Sequence, residues 1–268
     1  MMKKQLALAI AAVNLAGTVP TSARQAASQD WCQQERWSRD RYGVCEVRQY
    51  TLMPGATLTV DAAPNGGIQV SGGPRGDVLV EAKVVATAES EARAREIASN
   101  VRVDATSDKV SAEGPNGLGR REGWSVSYRL AVPTQTSLSL RSTNGGISIN
   151  DVEGQIEFRT VNGGVKLLNL AGEVNGRTSN GGVDVDLNGA TWTGAGLNVE
   201  TSNGGVRLRI PEQYSARLEV GTINGGFEID FPVAVQGRVD RELSASIGAG
   251  GPLIRVRTNN GGMKITKK

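Results

Sequence analysis

The side chains with chemistry to offer are acidic, basic and sulfur-bearing, since the 268 residues include no His. Asp184 and Asp186 stand two apart. On a strand both would point the same way, as acid and nucleophile do in some glycoside-cleaving enzymes. Lys166 and Arg207 occupy the matching position beside Asp184 in neighbouring repeats, and Arg209 does so beside Asp186. Basic neighbours keep carboxylates ionised, which suits a structural pair better than a general acid. Arg141, Arg159 and Arg177 recur every 18 residues, followed by Glu200. Stacked in a column, these arginines would repel one another unless something acidic compensates. Local Glu153, Glu157 or Glu173 would serve, and so would an anionic partner, an acidic polysaccharide or a lipid headgroup, gripped by planar guanidinium forks. Cys32 and Cys45 are 13 apart, too far for a C-x-x-C redox motif, and in an oxidising compartment they pair as one disulfide.

Other motifs carry less. Arg75-Gly76-Asp77 matches a cell-attachment tripeptide but follows Pro74 just before a strand, where it reads as a turn. Gly248-Ala249-Gly250-Gly251-Pro252 lacks the Lys-Ser/Thr and the helix of a phosphate loop. Without His there is no Ser-His-Asp or Cys-His catalysis, and two Cys cannot make an all-cysteine zinc site. No cofactor or metal is implied.

These residues need elements to position them, and the N-terminus says where. Met1 to Lys4 are basic, Gln5 to Val19 mostly apolar, and Pro20 to Ala23 small, the order of a secretory signal peptide over 1–23. Its apolar stretch is shorter than the roughly 20 residues of a membrane span, and nothing later could span a bilayer. The expected mature chain lies in a periplasm, outside the cell or at its surface. Losing Lys3 and Lys4 lowers the formal charge from +3 to +1, so the pI near 9.0 is no argument for nucleic-acid binding.

Glycine contributes 35 residues, well above the usual share of roughly 7%. Much of it lies in a recurring Asn-Gly-Gly, at Asn65, Asn144, Asn162, Asn180, Asn203, Asn224 and Asn260. From Asn144 the spacings are 18, 18, 23, 21 and 36, and each copy precedes an apolar-polar-apolar strand such as Val165 to Leu167. A Thr stands two before most of the asparagines, after a second short strand. Each unit therefore holds two strands and two turns. Asn-Gly also favours tight hairpins, which leaves an antiparallel β-meander as the alternative. Outward charges at Lys166, Asp184, Arg207, Glu228 and Lys264 change sign between successive units up to Glu228 and again at Lys264. That favours neighbouring parallel coils, where opposite charges attract. The expected fold is all-β: a right-handed parallel β-solenoid over 141–268, with the asparagines stacked at one corner and the glycines supplying backbone conformations closed to other residues.

Residues 24–50 form the disulfide-containing segment. The region 51–140 reads as irregular β with a helix over 88–100 capped by Thr87, and it should cap the first coil. Lys264, Lys267 and Lys268 should blunt the C-terminal sheet edge.

From about residue 45 to 268 the sequence resembles a bacterial family of exported proteins labelled putative adhesins, with a domain of unknown function built from β-strand repeats. The residues that carry the likeness are Cys45 to Arg48, Gly66 to Val70, Trp124 to Pro133 and the repeated Asn-Gly-Gly. The resemblance implies a right-handed β-solenoid and a surface or envelope setting, and it implies no catalytic residues. The expected function is non-enzymatic binding of a polymer, a surface or an envelope protein. A carbohydrate-active enzyme on the same scaffold and an envelope-stress or assembly factor are the alternatives.

Overall fold

The computed structural model describes residues 31–33, 35–37, 40–230 and 241–268. The expected signal peptide lies outside them. The first strands are β1 (Tyr42–Leu52), β2 (Leu58–Asp61), β3 (Ile68–Gly73) and β4 (Val78–Ala88). Helix α1 (Glu91–Asn100) comes next, then β5 (Arg102–Ala105), β6 (Lys109–Glu113) and β7 (Gly123–Pro133). The repeats begin with β8 (Leu138–Asn144), β9 (Ile147–Asn150), β10 (Glu153–Asn162), β11 (Val165–Leu168), β12 (Ala171–Asn180) and β13 (Val183–Asp186). They continue with β14 (Gly196–Asn203), β15 (Val206–Ile210), β16 (Ala216–Asn224) and β17 (Phe227–Asp230). The chain ends with β18 (Glu242–Ile247), β19 (Leu253–Asn260) and β20 (Met263–Lys267).

These strands form two ten-stranded sheets. One runs β1-β4-β7-β3-β9-β11-β13-β15-β20-β17, the other β18-β16-β19-β14-β12-β10-β8-β2-β6-β5. Each repeat gives one strand to each sheet, and Asn-Gly-Gly is the corner between them. Strands of neighbouring units pair in parallel and in register, Asn162 beside both Asn144 and Asn180. Period-two alternation puts one side of every strand inside, and β4 alternates buried with half-buried along its whole length. The inward faces of both sheets share one apolar core running from Leu58 to Ile265. Complementary sizes fill it: a Cβ on Gly176 would lie 2.2 Å from the Phe158 ring, its register partner.

Several expectations change. The last unit does not end the stack, because β19 and β20 insert between the strands of the two units before them. Lys264 is therefore interior to the sheet, between Arg207 and Glu228, and blunts no edge. Arg207 neighbours Lys264, so the outward charges do not alternate throughout. The helix starts at Glu91 and is capped by Ser90, whose hydroxyl accepts from the Arg93 amide at 3.2 Å. Thr87 instead lies within β4, held between Gly43 and Gly123 on the strands at either side. The N-terminal half covers the edge of the first repeat by continuing both sheets past it. It closes them with the antiparallel pairs β1–β4, β4–β7 and β5–β6.

Candidate functional site

The Asn-Gly-Gly corner is built from three bonded columns. Each Asn side-chain amide donates to the side-chain oxygen of the next: Asn144 to Asn65 at 2.9 Å, Asn162 to Asn144 at 2.8 Å, Asn180 to Asn162 at 2.8 Å. The ladder continues through Asn203, Asn260 and Asn224, in the order of the strands and not of the chain. The second column is inside. Thr160, Thr178, Thr201, Thr258 and Thr222 are buried, and each hydroxyl donates at 2.8 Å to the carbonyl of a first glycine on the neighbouring unit. Ser142 does the same to Gly66. A buried carbonyl needs such a partner, and the small hydroxyl meets that need without breaking the core.

The first glycines form the third column. A Cβ on Gly163 would stand 2.1 Å from the Gly145 carbonyl oxygen, and one on Gly181 would stand 2.1 Å from that of Gly163. None of these glycines has positive φ; the need is for backbone to pass backbone, not for a special conformation. This corrects the expected reason for glycine. The second glycine is less constrained, since a Cβ on Gly164 would be 3.5 Å from the Gly182 oxygen.

Three residues before the asparagines, on the outward face of the second sheet, lies a charged row. Asp61, four before Asn65, leads the row, and Arg141, Arg159, Arg177, Glu200 and Arg257 follow as consecutive register partners. Neighbouring strands are about 4.8 Å apart, so the three middle arginines span roughly 10 Å. All three are exposed. Among the described residues none of them lies in an ion pair, with Glu153, Glu157, Glu173 or any other carboxylate. Farther along the same face the outcome differs, because Arg255 grips Glu219 at 2.6 Å and holds that carboxyl below its usual range. The arginines line a groove of about 750 Å³ that runs from Asp61 to Glu200. A second groove of about 330 Å³ shares Arg159, Arg177 and Glu200 and reaches Arg257.

The aspartate pair is engaged. Arg207 and Arg209 each lie 3.3 Å from Asp184, while Arg209 at 2.9 Å and Lys268 at 2.7 Å hold Asp186. Burial pushes the Asp186 carboxyl upward, but Lys268 and Arg209 outweigh it and keep the group below its ordinary value. Lys268, expected at an edge, is part of this cluster. Arg75 bonds Asp77 at 2.8 Å, closing the Arg-Gly-Asp tripeptide on itself. Cys32 and Cys45 are joined as a disulfide. The bridge pins Trp31 against the first sheet, where Lys83 and Arg129 lie 4.9 and 3.9 Å from its ring. Trp31 is a contact that sequence reasoning passed over. Among the described residues no cluster of three or more His, Cys, Asp or Glu could hold a metal, and no helix is long and apolar enough to cross a membrane.

Two sheets joined by bonded corners define a repeat-built β scaffold. The chain belongs to the Toastrack DUF4097 family, whose profile matches residues 76–266. It is similar to a putative cell adhesion protein from Clostridium sporogenes, at 12% identity and a TM-score of 0.45, covering 84% of this chain and 100% of that one. It is also similar to a putative adhesin from Bacteroides fragilis, at 10% identity and a TM-score of 0.35, covering 83% and 97%. No curated protein matches.

Proposed function

We propose that this protein is an exported, non-enzymatic adhesin-like β-solenoid, right-handed and parallel, whose second sheet presents Arg141, Arg159 and Arg177 to an anionic component of the envelope or of a surface. One observation carries the reading: three exposed guanidinium groups stand in register on adjacent strands, and among the described residues no carboxylate is in an ion pair with them. Like charges side by side cost stability, and an acidic ligand relieves that cost. Arg presents a fork that fits carboxylate or phosphate. The disulfide suits an oxidising compartment, in line with export. The ion pairs that occupy Asp184 and Asp186 speak against glycoside cleavage.

The test is binding of the full chain to a panel of envelope polysaccharides, anionic vesicles and whole cells, at low and high salt. The Arg141/Arg159/Arg177→Ala triple variant runs beside it. Binding that weakens with salt and disappears in the variant supports the reading. Absence of binding by the wild type to every member overturns it.

A further inference from the structure

The asparagine ladder has two ends, and they differ. Every corner sets Asn before Gly, the dipeptide in which the glycine amide nitrogen can attack the asparagine side-chain carbonyl carbon. Six corners hold that nitrogen back. The amide N–H of Gly66, Gly145, Gly163, Gly181, Gly204 and Gly261 donates to the main-chain carbonyl of an asparagine on the adjoining unit, at 2.9 to 3.2 Å. Gly225 is the exception. Its amide has no acceptor among the described residues, and the strand that follows it, β17, ends its sheet. Gly225 is also exposed, where the other six are buried or half-buried. Asn224 is exposed beside it and has one ladder bond instead of two: its side-chain amide donates to Asn260 at 3.0 Å, and its side-chain oxygen accepts from nothing among the described residues. At the opposite end of the ladder the Gly66 amide is still engaged, by the Asn144 carbonyl at 3.2 Å. We infer that Asn224 is a modification site, the corner at which the folded protein undergoes spontaneous deamidation. The inference does not depend on the anion-binding reading.

The two groups fix the chemistry. The Gly225 nitrogen gives up its proton and bonds to the Asn224 side-chain carbon, the side-chain carbon–nitrogen bond breaks, and ammonia leaves. Water then opens the cyclic imide at either carbonyl, giving aspartate or isoaspartate. Water is consumed, ammonia is released, and nothing is oxidised or reduced. Ring closure folds the side chain back onto its own main chain. At an interior corner the glycine bond and both ladder bonds must open first, whereas at Asn224 a single ladder bond must. The product cannot rebuild the rung, because a carboxylate has no donor for the Asn260 oxygen. Isoaspartate also lengthens the main chain by one carbon, which shifts Phe227 against its partner Met263. The Asn224 carbonyl that holds the Gly261 amide is displaced with it, so Asn260 is the next corner freed. Loss therefore runs down the stack, from Asn224 to Asn260 to Asn203, and not along the chain. Three further Asn-Gly pairs serve as references. Asn116 and Asn188 are exposed and outside the strands, and Asn175 lies within β12, paired on both sides.

The experiment ages the native full chain in mildly alkaline buffer and follows every Asn-Gly pair by peptide mass mapping, with enzymatic methylation of isoaspartate as a second readout. A sample unfolded in urea runs beside it. All seven corners read Asn-Gly-Gly, so in urea they should react at similar rates and any difference in the native chain reports structure alone. Native Asn224 should react at least roughly tenfold faster than Asn162 or Asn180, a factor set by the hydrogen bonds that those corners must open. Asn116 and Asn188 should resemble Asn224, and Asn175 should resemble Asn162. The variant Asn224→Asp supplies one product directly, and its urea midpoint reports that the fold persists. In it Asn260 should deamidate several-fold faster than in the wild type, with Asn144 unchanged. If native Asn224 reacts no faster than Asn162, the site is overturned. An unchanged rate at Asn260 in Asn224→Asp overturns the order of loss down the stack.

Discussion

Asn162 and Arg159 are three residues apart on β10, and each lies in register with its own kind on both neighbouring strands, yet the two columns end in opposite states. An Asn side chain carries a donor and an acceptor, so identical residues bond to one another without limit. An Arg carries only donors and a charge, so identical residues leave one another unsatisfied. The asparagine column is thus closed on itself, and the arginine column is open. Repetition is a structural device when the repeated group is self-complementary, and an invitation to a ligand when it is not.

The closed corner should break hardest where backbone meets backbone. Gly163→Ala places a Cβ 2.1 Å from a carbonyl oxygen that cannot move aside. A loss of about 3 kcal/mol or more is expected in urea melts. Gly164→Ala should stay within about 1 kcal/mol of wild type, because its Cβ would be in ordinary contact. Equal losses would show that the two glycines are not distinguished by close approach.

Thr178→Val keeps the shape of the buried side chain but strands the Gly163 carbonyl. It should cost about 2 kcal/mol, and Thr178→Ser, which keeps the hydroxyl, clearly less. Next come the asparagines, exposed and therefore weaker. Asn162→Ala removes two ladder bonds and should cost about 1 kcal/mol, roughly twice the loss in Asn224→Ala, where one described bond goes.

The Asp186 cluster sharpens the comparison through pH. Its folded-state carboxyl titrates below the ordinary 3.8, so its contribution is complete at neutral pH and is lost as the pH falls through the lowered value. Asp186→Asn should be less stable than wild type by about 1 kcal/mol at pH 7. At about pH 3 that gap should narrow, read from denaturant midpoints at the two pH values.

Much of this was legible in the residues. Asn-Gly-Gly followed by alternating apolar positions marks the strands and the corner, while the same Asn-Gly left a hairpin meander open beside the parallel pairing of β8, β10, β12 and β14. The stacking order beyond β14 was not legible. Every unit presents the same period-two face, so nothing local tells Val206 that Met263, and not Phe227, will lie beside it. The spacing of 36 between Asn224 and Asn260 marks an insertion but not where the chain returns. Charge alternation misled for the same reason, since sequence neighbours Arg207 and Glu228 are separated by Lys264 in space. The threonines did leave a signal: a polar residue on the inward phase of strand after strand must serve a buried acceptor. Trp31 left none, because its partners Lys83 and Arg129 come from distant strands.

The central claim is that the arginine row is built for a ligand and not for the fold. Arg159→Ala tests it most directly, with thermal unfolding and binding to the envelope polysaccharides and anionic vesicles measured on the same preparation. The account predicts a melting temperature unchanged or slightly raised, as like-charge repulsion is relieved, together with weakened binding. A clear drop in melting temperature with binding intact would make the row structural and contradict the account.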